Sequence, residues 1–225
     1  MFITDLFFPK FCLGCGYIGV YICTSCLEKL KPVQLDTCIY CQKPSLFGLT
    51  HSNCIKDYNI DGILAIYHYN PILKKIIKNM KYRLAMQVWK DFNKSIEPHL
   101  IMKLGFYNRL SAHFVLQPIP LTKNKCNERG FNQAQTICTF FNMFLNFPIV
   151  NLLTREKQTF SQAQIKTKRD RYLNIKGKFI SIKTPPDNII LVDDVVTSGS
   201  TIREATKVLK IAGTKKVYVL ALAKG

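Results

Sequence analysis

Asp193 and Asp194 stand side by side in the segment 189-IILVDDVVTSGSTIREA-205, and a hydroxyl-rich turn begins at Thr197. Paired carboxylates accept hydrogen bonds from neighbouring hydroxyls. Thr197, Ser198, Ser200 and Thr201 supply hydroxyl donors, and Gly199 lets the backbone approach a ligand closely. Where such a turn opens a helix, the first backbone N–H groups are unpaired and the helix dipole is positive, so the turn attracts an anion. Two acids beside an anion cradle would repel most phosphates. They suit a ligand that carries hydroxyls next to its phosphate. A ribose 5-phosphate does so: the 5-phosphate enters the turn while the 2- and 3-hydroxyls donate to Asp193 and Asp194. An ordinary helix cap needs one Ser or Thr, not this whole cluster. The Gly-x4-Gly-Lys and Gly-x-Gly-x2-Gly patterns of other phosphate-binding folds are absent from the chain.

A second group of residues suggests metal chemistry. Seven of the nine cysteines lie in the first 54 residues, as Cys12-x2-Cys15, Cys23-x2-Cys26, Cys38-x2-Cys41 and Cys54. Two thiolates from one tight turn can reach the same tetrahedral zinc ion, and Gly16 suits such a turn. A segment this short needs a metal or a disulfide to hold it. Nothing in the sequence suggests secretion, so zinc is the stronger reading. The simplest ligand set is Cys12, Cys15, Cys23 and Cys26. Cys38, Cys41 and Cys54 lack a fourth cysteine, and Asp57 or His51 could complete them. Alternatively the first and third pairs share one ion. Side-chain ligands with no open position make the zinc structural rather than catalytic.

The elements that must position these groups follow from periodicity. Strands are expected over 60–69, 113–120, 149–153, 177–182, 189–192 and 216–222. Helices are expected over 26–33, 72–85 and 131–145, and after the turn at 197–201, where Ile202, Ala205, Leu209 and Ala212 share one face. Strands alternating with helices predict an α/β fold with a mostly parallel sheet and helices on both faces. The predicted organisation is a zinc-binding module over 1–57 followed by the sheet domain over 58–225. In such sheets ligands bind at the carboxyl ends of the strands, where Asp193 and Asp194 are expected.

The chain has 32 basic and 14 acidic residues, a formal net charge of +18. Such a field attracts phosphate-rich partners, single-stranded nucleic acid included. No run of apolar residues is long enough to span a membrane. The apolar start is interrupted by Asp5 and has no small-residue cleavage site after it, so a cytoplasmic protein is expected.

The segment 189-IILVDDVVTSGST-201 resembles the phosphoribosyl pyrophosphate (PRPP) signature of type I phosphoribosyltransferases at every element. The resemblance implies a five-stranded parallel core, PRPP contacts along Asp193, Asp194, Val195 and Thr197 to Thr201, and magnesium bound with the pyrophosphate. A wider resemblance covers nearly the whole chain. The motifs 12-CLGC-15, 23-CTSC-26 and 38-CIYC-41, then 118-PIP-120 with 128-ERGFNQA-134, then 162-QAQIKTKRDRYLNIKGKF-179, are similar to the ComF family. Those are DNA-uptake competence proteins joining a zinc ribbon to a phosphoribosyltransferase domain. The chain departs from a full double ribbon in lacking a fourth cysteine pair.

The resemblance implies that the loop over 117–130 grips pyrophosphate, with Arg129 as the best-suited side chain and Gly130 opening onto the next helix. Lys123 and Lys125 share that loop. Lys166, Lys168, Arg169 and Arg171 fall in a lid expected over 155–176, and all six cations are candidates for contacting single-stranded DNA. Tyr82, Phe131 and Tyr172 could stack on bases, against the competing role of core packing. No acceptor site is legible. Two functions therefore stand: a DNA-uptake accessory that binds PRPP and single-stranded DNA beside other uptake proteins at the inner face of the membrane, or an active phosphoribosyltransferase of nucleotide metabolism.

Overall fold

The computed structural model describes residues 9–80, 85–94, 96, 98–110, 113–155 and 179–225. Its centre is a five-stranded sheet built from β1 (Lys31–Pro32), β2 (Gly62–His68), β3 (Phe114–Pro118), β6 (Asn188–Val196) and β7 (Lys216–Lys224). The strand order is β1-β2-β7-β6-β3. The strands from β2 to β3 pair in parallel, and β1 pairs antiparallel with β2. The resemblance implied five parallel strands; here four are parallel and the fifth comes from the cysteine-rich segment. Pro32 has no N–H to donate, and β1 accordingly sits at the sheet edge. A small antiparallel pair, β4 (Leu153–Arg155) and β5 (Phe179–Ser181), lies apart from this sheet.

The central strands read as unbroken apolar runs because both faces are covered. Ile190 and Val192 of β6 join one core cluster, while Ile189 and Leu191 join another. The first face carries α2 (Pro71–Asn79), α3 (Ala85–Asn93), α4 (Pro98–Leu110) and α6 (Gln133–Leu145). On it Trp89 is fully buried, with ring centroids 5.4 Å from Phe92 and 4.8 Å from Phe140. Each such side chain contributes about 1.5–3 kcal/mol through burial. The second face carries α7 (Ser200–Ile211) through Ile202, Ala205, Val208 and Leu209, together with Ile39 from the cysteine-rich segment.

Local signals set several boundaries. Asn70 caps α2 by accepting from the Leu73 N–H at 2.9 Å, and Pro71 opens the helix with a preset φ. The expected helix over 26–33 is instead α1 (Thr24–Leu27), followed by β1. The helix expected over 72–85 ends at Asn79, and a separate helix begins at Ala85. The strand expected over 149–153 is a single bridge from Ile149 to Leu116, with β4 starting at Leu153. Neither α3 nor α4 was anticipated.

The cysteine-rich segment is built onto the sheet domain rather than hung from it. Asp91 on α3 accepts the backbone N–H groups of Tyr21 and Ile22, both at 3.1 Å. Leu49 bridges to Gly62, and Gly48 packs so tightly on β2 that a side chain there would meet the Ile63 carbonyl at 1.8 Å.

Candidate functional site: an acidic pair, a hydroxyl loop and two cysteine clusters

β6 does not stop before the acids, as the sequence suggested; it continues through them to Val196. Asp193 and Asp194 therefore stand on the strand's carboxyl-terminal half, with Asp193 in register with Ala221 of β7. Asp193 Oδ1 accepts the Asp194 N–H at 2.9 Å, and Asp194 Oδ1 accepts the Val195 N–H at 2.7 Å. Three residues, Thr197 to Gly199, then turn the chain into α7. Gly199 takes a left-handed conformation, with φ +72° and ψ 5°, and the helix starts with no side-chain cap. The hydroxyls of Ser198 and Ser200 lie 3.1 Å apart at this mouth. An uncapped helix entrance with hydroxyls beside it can attract an anion.

Across from the acids lies the end of α5 (Lys123–Arg129). The sequence placed Lys123, Lys125 and Arg129 in a loop; they form a short helix, closed by Gly130 at φ +73°. Lys125, Arg129, Arg155, Asp193, Asp194 and Thr201 all line one cleft of about 220 Å³. Arg129 is oriented by Gln133 of α6, whose Oε1 accepts from Nη1 at 2.8 Å. Lys123 is exposed and does not line the cleft. Lys166, Lys168, Arg169 and Arg171 lie outside the described residues, as do Tyr82 and Tyr172.

The acids feel this setting. Burial, followed by the neighbouring charge of Asp194, pushes the Asp193 carboxyl up to about 8, while Arg155 pulls in the opposite direction. This setting favours the protonated form of Asp193, and nearby cations oppose it.

Sequence reasoning missed Arg155, Gln133 and a second cleft. That cleft, of about 690 Å³, adjoins the first and shares Arg129, Gln133, Asp194 and Val195 with it. Tyr69, Lys74, Lys78 and Phe131 form much of its remaining wall. Lys74 and Lys78 are one helical turn apart on α2, a spacing visible in the sequence but indistinguishable there from a solvated face.

The seven N-terminal cysteines gather into two groups. Cys12, Cys15, Cys23 and Cys26 form one, and Cys38, Cys41, Cys54 and His51 form the other; within each, the ligand atoms lie within 4.8 Å of one another. Of the alternatives left open, the fold brings the first two pairs together and puts His51, rather than the exposed Asp57, beside Cys38, Cys41 and Cys54. His51 Nδ1 lies 3.2 Å from Cys41 Sγ, and its Nε2 is 3.1 Å from the Pro44 carbonyl, the outer contact that orients a ligating imidazole. Gly14 has a local reason: a side chain there would sit 2.8 Å from Cys26 Sγ.

All seven thiols are free. One donor set is four cysteines and the other is three cysteines with a histidine, and both are sets that structural zinc takes. Burial raises the Cys12 thiol, but backbone N–H donors led by Cys23 outweigh it and bring it down to about 6. Cys38 comes down to about 7 by the same opposition, with the Cys41 N–H leading. Such thiols ionise readily to meet a cation. Both groups could hold zinc.

Among the described residues no helix is long and apolar enough to cross a membrane. No protein-family model matches the chain. The chain is similar to Competence protein F of Haemophilus influenzae, with 28% identity over 97% of this chain and 98% of that one. Competence protein ComFC of Bacillus subtilis is 28% identical over 84% of this chain and 77% of its own length. The DNA utilization protein YhgH of Escherichia coli O157:H7 is 31% identical over 94% of this chain and 93% of its own. The likeness covers nearly the whole chain, cysteine clusters and sheet domain alike, and the chain belongs to the ComF family.

Proposed function

We propose that this chain is a DNA-uptake accessory protein that binds PRPP with magnesium and also binds single-stranded DNA. The carrying observation is the pairing of Asp193 and Asp194 with the uncapped mouth of α7, faced by Arg129 and Lys125 across one cleft. The 5-phosphate takes the amides and hydroxyls of the Thr197–Thr201 turn. The ribose hydroxyls donate to the acids, and the pyrophosphate lies toward Arg129, whose planar fork matches phosphate oxygens. Magnesium prefers hard oxygen donors, which the carboxylates and the pyrophosphate both offer. The DNA-uptake role comes from relatives named as competence and DNA utilization proteins. Zinc in the two N-terminal centres stabilises the module over 1–57, which works as a unit with the domain over 58–225.

The test is thermal melting of the whole protein with PRPP and magnesium, beside ATP and ribose 5-phosphate. A ligand bound only by the native state raises the melting temperature with its concentration. PRPP should do so most strongly, and the D193A/D194A variant should fold yet lose the response. An unchanged response in that variant would defeat the assignment of the diol.

A second reading is favoured by the 690 Å³ cleft beside Asp194, which offers room for an acceptor that the sequence did not disclose. A nucleophile held there would form a bond to C1 of the ribose as the bond from C1 to the pyrophosphate oxygen breaks. Pyrophosphate released on adding a candidate base, amine or oligonucleotide supports this reading; no release with any acceptor class leaves binding as the function.

A further inference from the structure

The knuckle turn of the second metal centre touches the phosphate loop, though 160 residues separate Ile39 from Gly199. Ile39 and Tyr40 are the two residues between the ligands Cys38 and Cys41. A single side chain joins them to the loop. Arg203, in the first turn of α7, donates from Nη1 to the Ser198 carbonyl at 3.2 Å and from Nη2 to the Ile39 carbonyl at 3.0 Å. Its guanidinium carbon lies 5.3 Å from the centroid of the Tyr40 ring, a cation–π contact. Tyr40 is held in turn, because its hydroxyl accepts the Ile60 N–H at 2.8 Å. Gly199 also faces Ile39: a side chain there would reach within 3.3 Å of the Ile39 methyl.

The direction of these bonds matters. A trans peptide points its C=O and N–H in opposite directions. The Ser198 carbonyl shares its peptide with the Gly199 N–H. Holding that carbonyl on Arg203 aims the Gly199 N–H the other way, as an anion cradle requires. Glycine at this position makes the peptide easy to turn and offers no side-chain cap, and the local side-chain contact to the backbone at the helix start is the long 3.4 Å one from the Ser200 N–H to the Ser198 hydroxyl. Arg203 resists it from outside, but only while the Ile39 carbonyl and the Tyr40 ring are in place. Those belong to a two-residue turn whose ends are thiolates of a metal centre.

We propose that the centre formed by Cys38, Cys41, His51 and Cys54 supports the phosphate loop, and that Arg203 is the positioning residue linking them. Metal in this centre then governs affinity for the 5-phosphate end of the ligand, while the first centre, docked on α3 through Asp91, does not. The affinity claim rests on the PRPP reading above; the claim that the loop is held does not.

The test measures amide hydrogen exchange at residue 203, whose N–H donates to the Gly199 carbonyl at 3.0 Å, in the full-length, metal-loaded protein, alongside titration with PRPP and magnesium. In R203M and in C41S this amide should exchange about tenfold faster, the scale of losing a charged hydrogen bond. The amides of Ala205 to Leu209 should stay protected, which a general loss of stability would not allow. R203K, which keeps the charge but not the fork, should recover part of the protection. C15S, in the first centre, should leave the loop as it is. PRPP affinity should fall about tenfold in R203M and C41S and follow the exchange data. Wild-type exchange at residue 203 in R203M overturns the link through Arg203, and wild-type exchange in C41S overturns the role of the metal. If the wild-type protein fails to bind PRPP, the ligand assignment falls, and the exchange rates still decide whether the centre holds the loop.

Discussion

Burial and Asp194 raise the Asp193 carboxyl, and its stability effect follows from that direction. Its carboxyl is pushed up to about 8 by burial and by Asp194, against an ordinary value of 3.8. Below the ordinary value both folded and unfolded chains are protonated, and the group is neutral to stability. As pH rises from about 4 to about 8 the unfolded chain releases the proton while the folded chain keeps it, so the native state is progressively disfavoured. Above about 8 both forms are ionised and the penalty stays constant. D193N removes the titration. Its melting temperature should match the wild type near pH 4 and exceed it by a margin that grows toward pH 8. Calorimetry across that range checks this, and parallel curves would show an unperturbed carboxyl. The pair was legible in the sequence because the two adjacent acids directly follow an apolar run and precede a hydroxyl-rich turn. Arg155 was not, because a lone arginine after a short apolar run looks like any surface charge until the fold turns it toward the acids.

At the level of elements, the site rests on the other end of the sheet. Asp61, just before β2, is buried and bonds to Lys210 at 2.7 Å and to Lys216 at 3.0 Å. It also accepts the Val217 N–H at 2.9 Å. One carboxylate thereby ties the start of β2 to the start of β7 and the end of α7. D61A strands the buried Lys210 ammonium, and urea denaturation should show a loss of about 3–5 kcal/mol. The acidic pair sits at the opposite ends of the strands, so whatever D193A/D194A removes, D61A should keep under folding conditions. The apolar stripes of α6 and α7 and the runs of β6 and β7 were readable from spacing. In contrast, α4 mixes its faces: Leu104 is buried while Ile101 and Met102 are about half exposed. No period marks such a helix. β1 is two residues long, and only pairing with β2 makes it a strand.

The whole molecule carries +18 formal charges, which act on any polyanion that approaches. Single-stranded DNA binding should therefore weaken steeply with salt. For about four phosphate contacts the log–log slope is about −2.8, roughly a 50-fold loss between about 50 and 200 mM salt. Fluorescence anisotropy with a short oligonucleotide measures this, and a flat salt response would remove the electrostatic basis for DNA binding. Local chemistry was enough to indicate the phosphate turn, the acidic pair and the knuckle spacings, because each is set by neighbours within a dozen residues. Partners distant along the chain were not readable in that way. The grouping of seven thiols with His51, the opposition of Arg129 to Asp193, the second cleft and the contact of Arg203 with Ile39 were decided by tertiary structure. The last three join segments distant in sequence that the parallel sheet and its covering helices bring within reach, whereas the cysteine groups close over short stretches of chain.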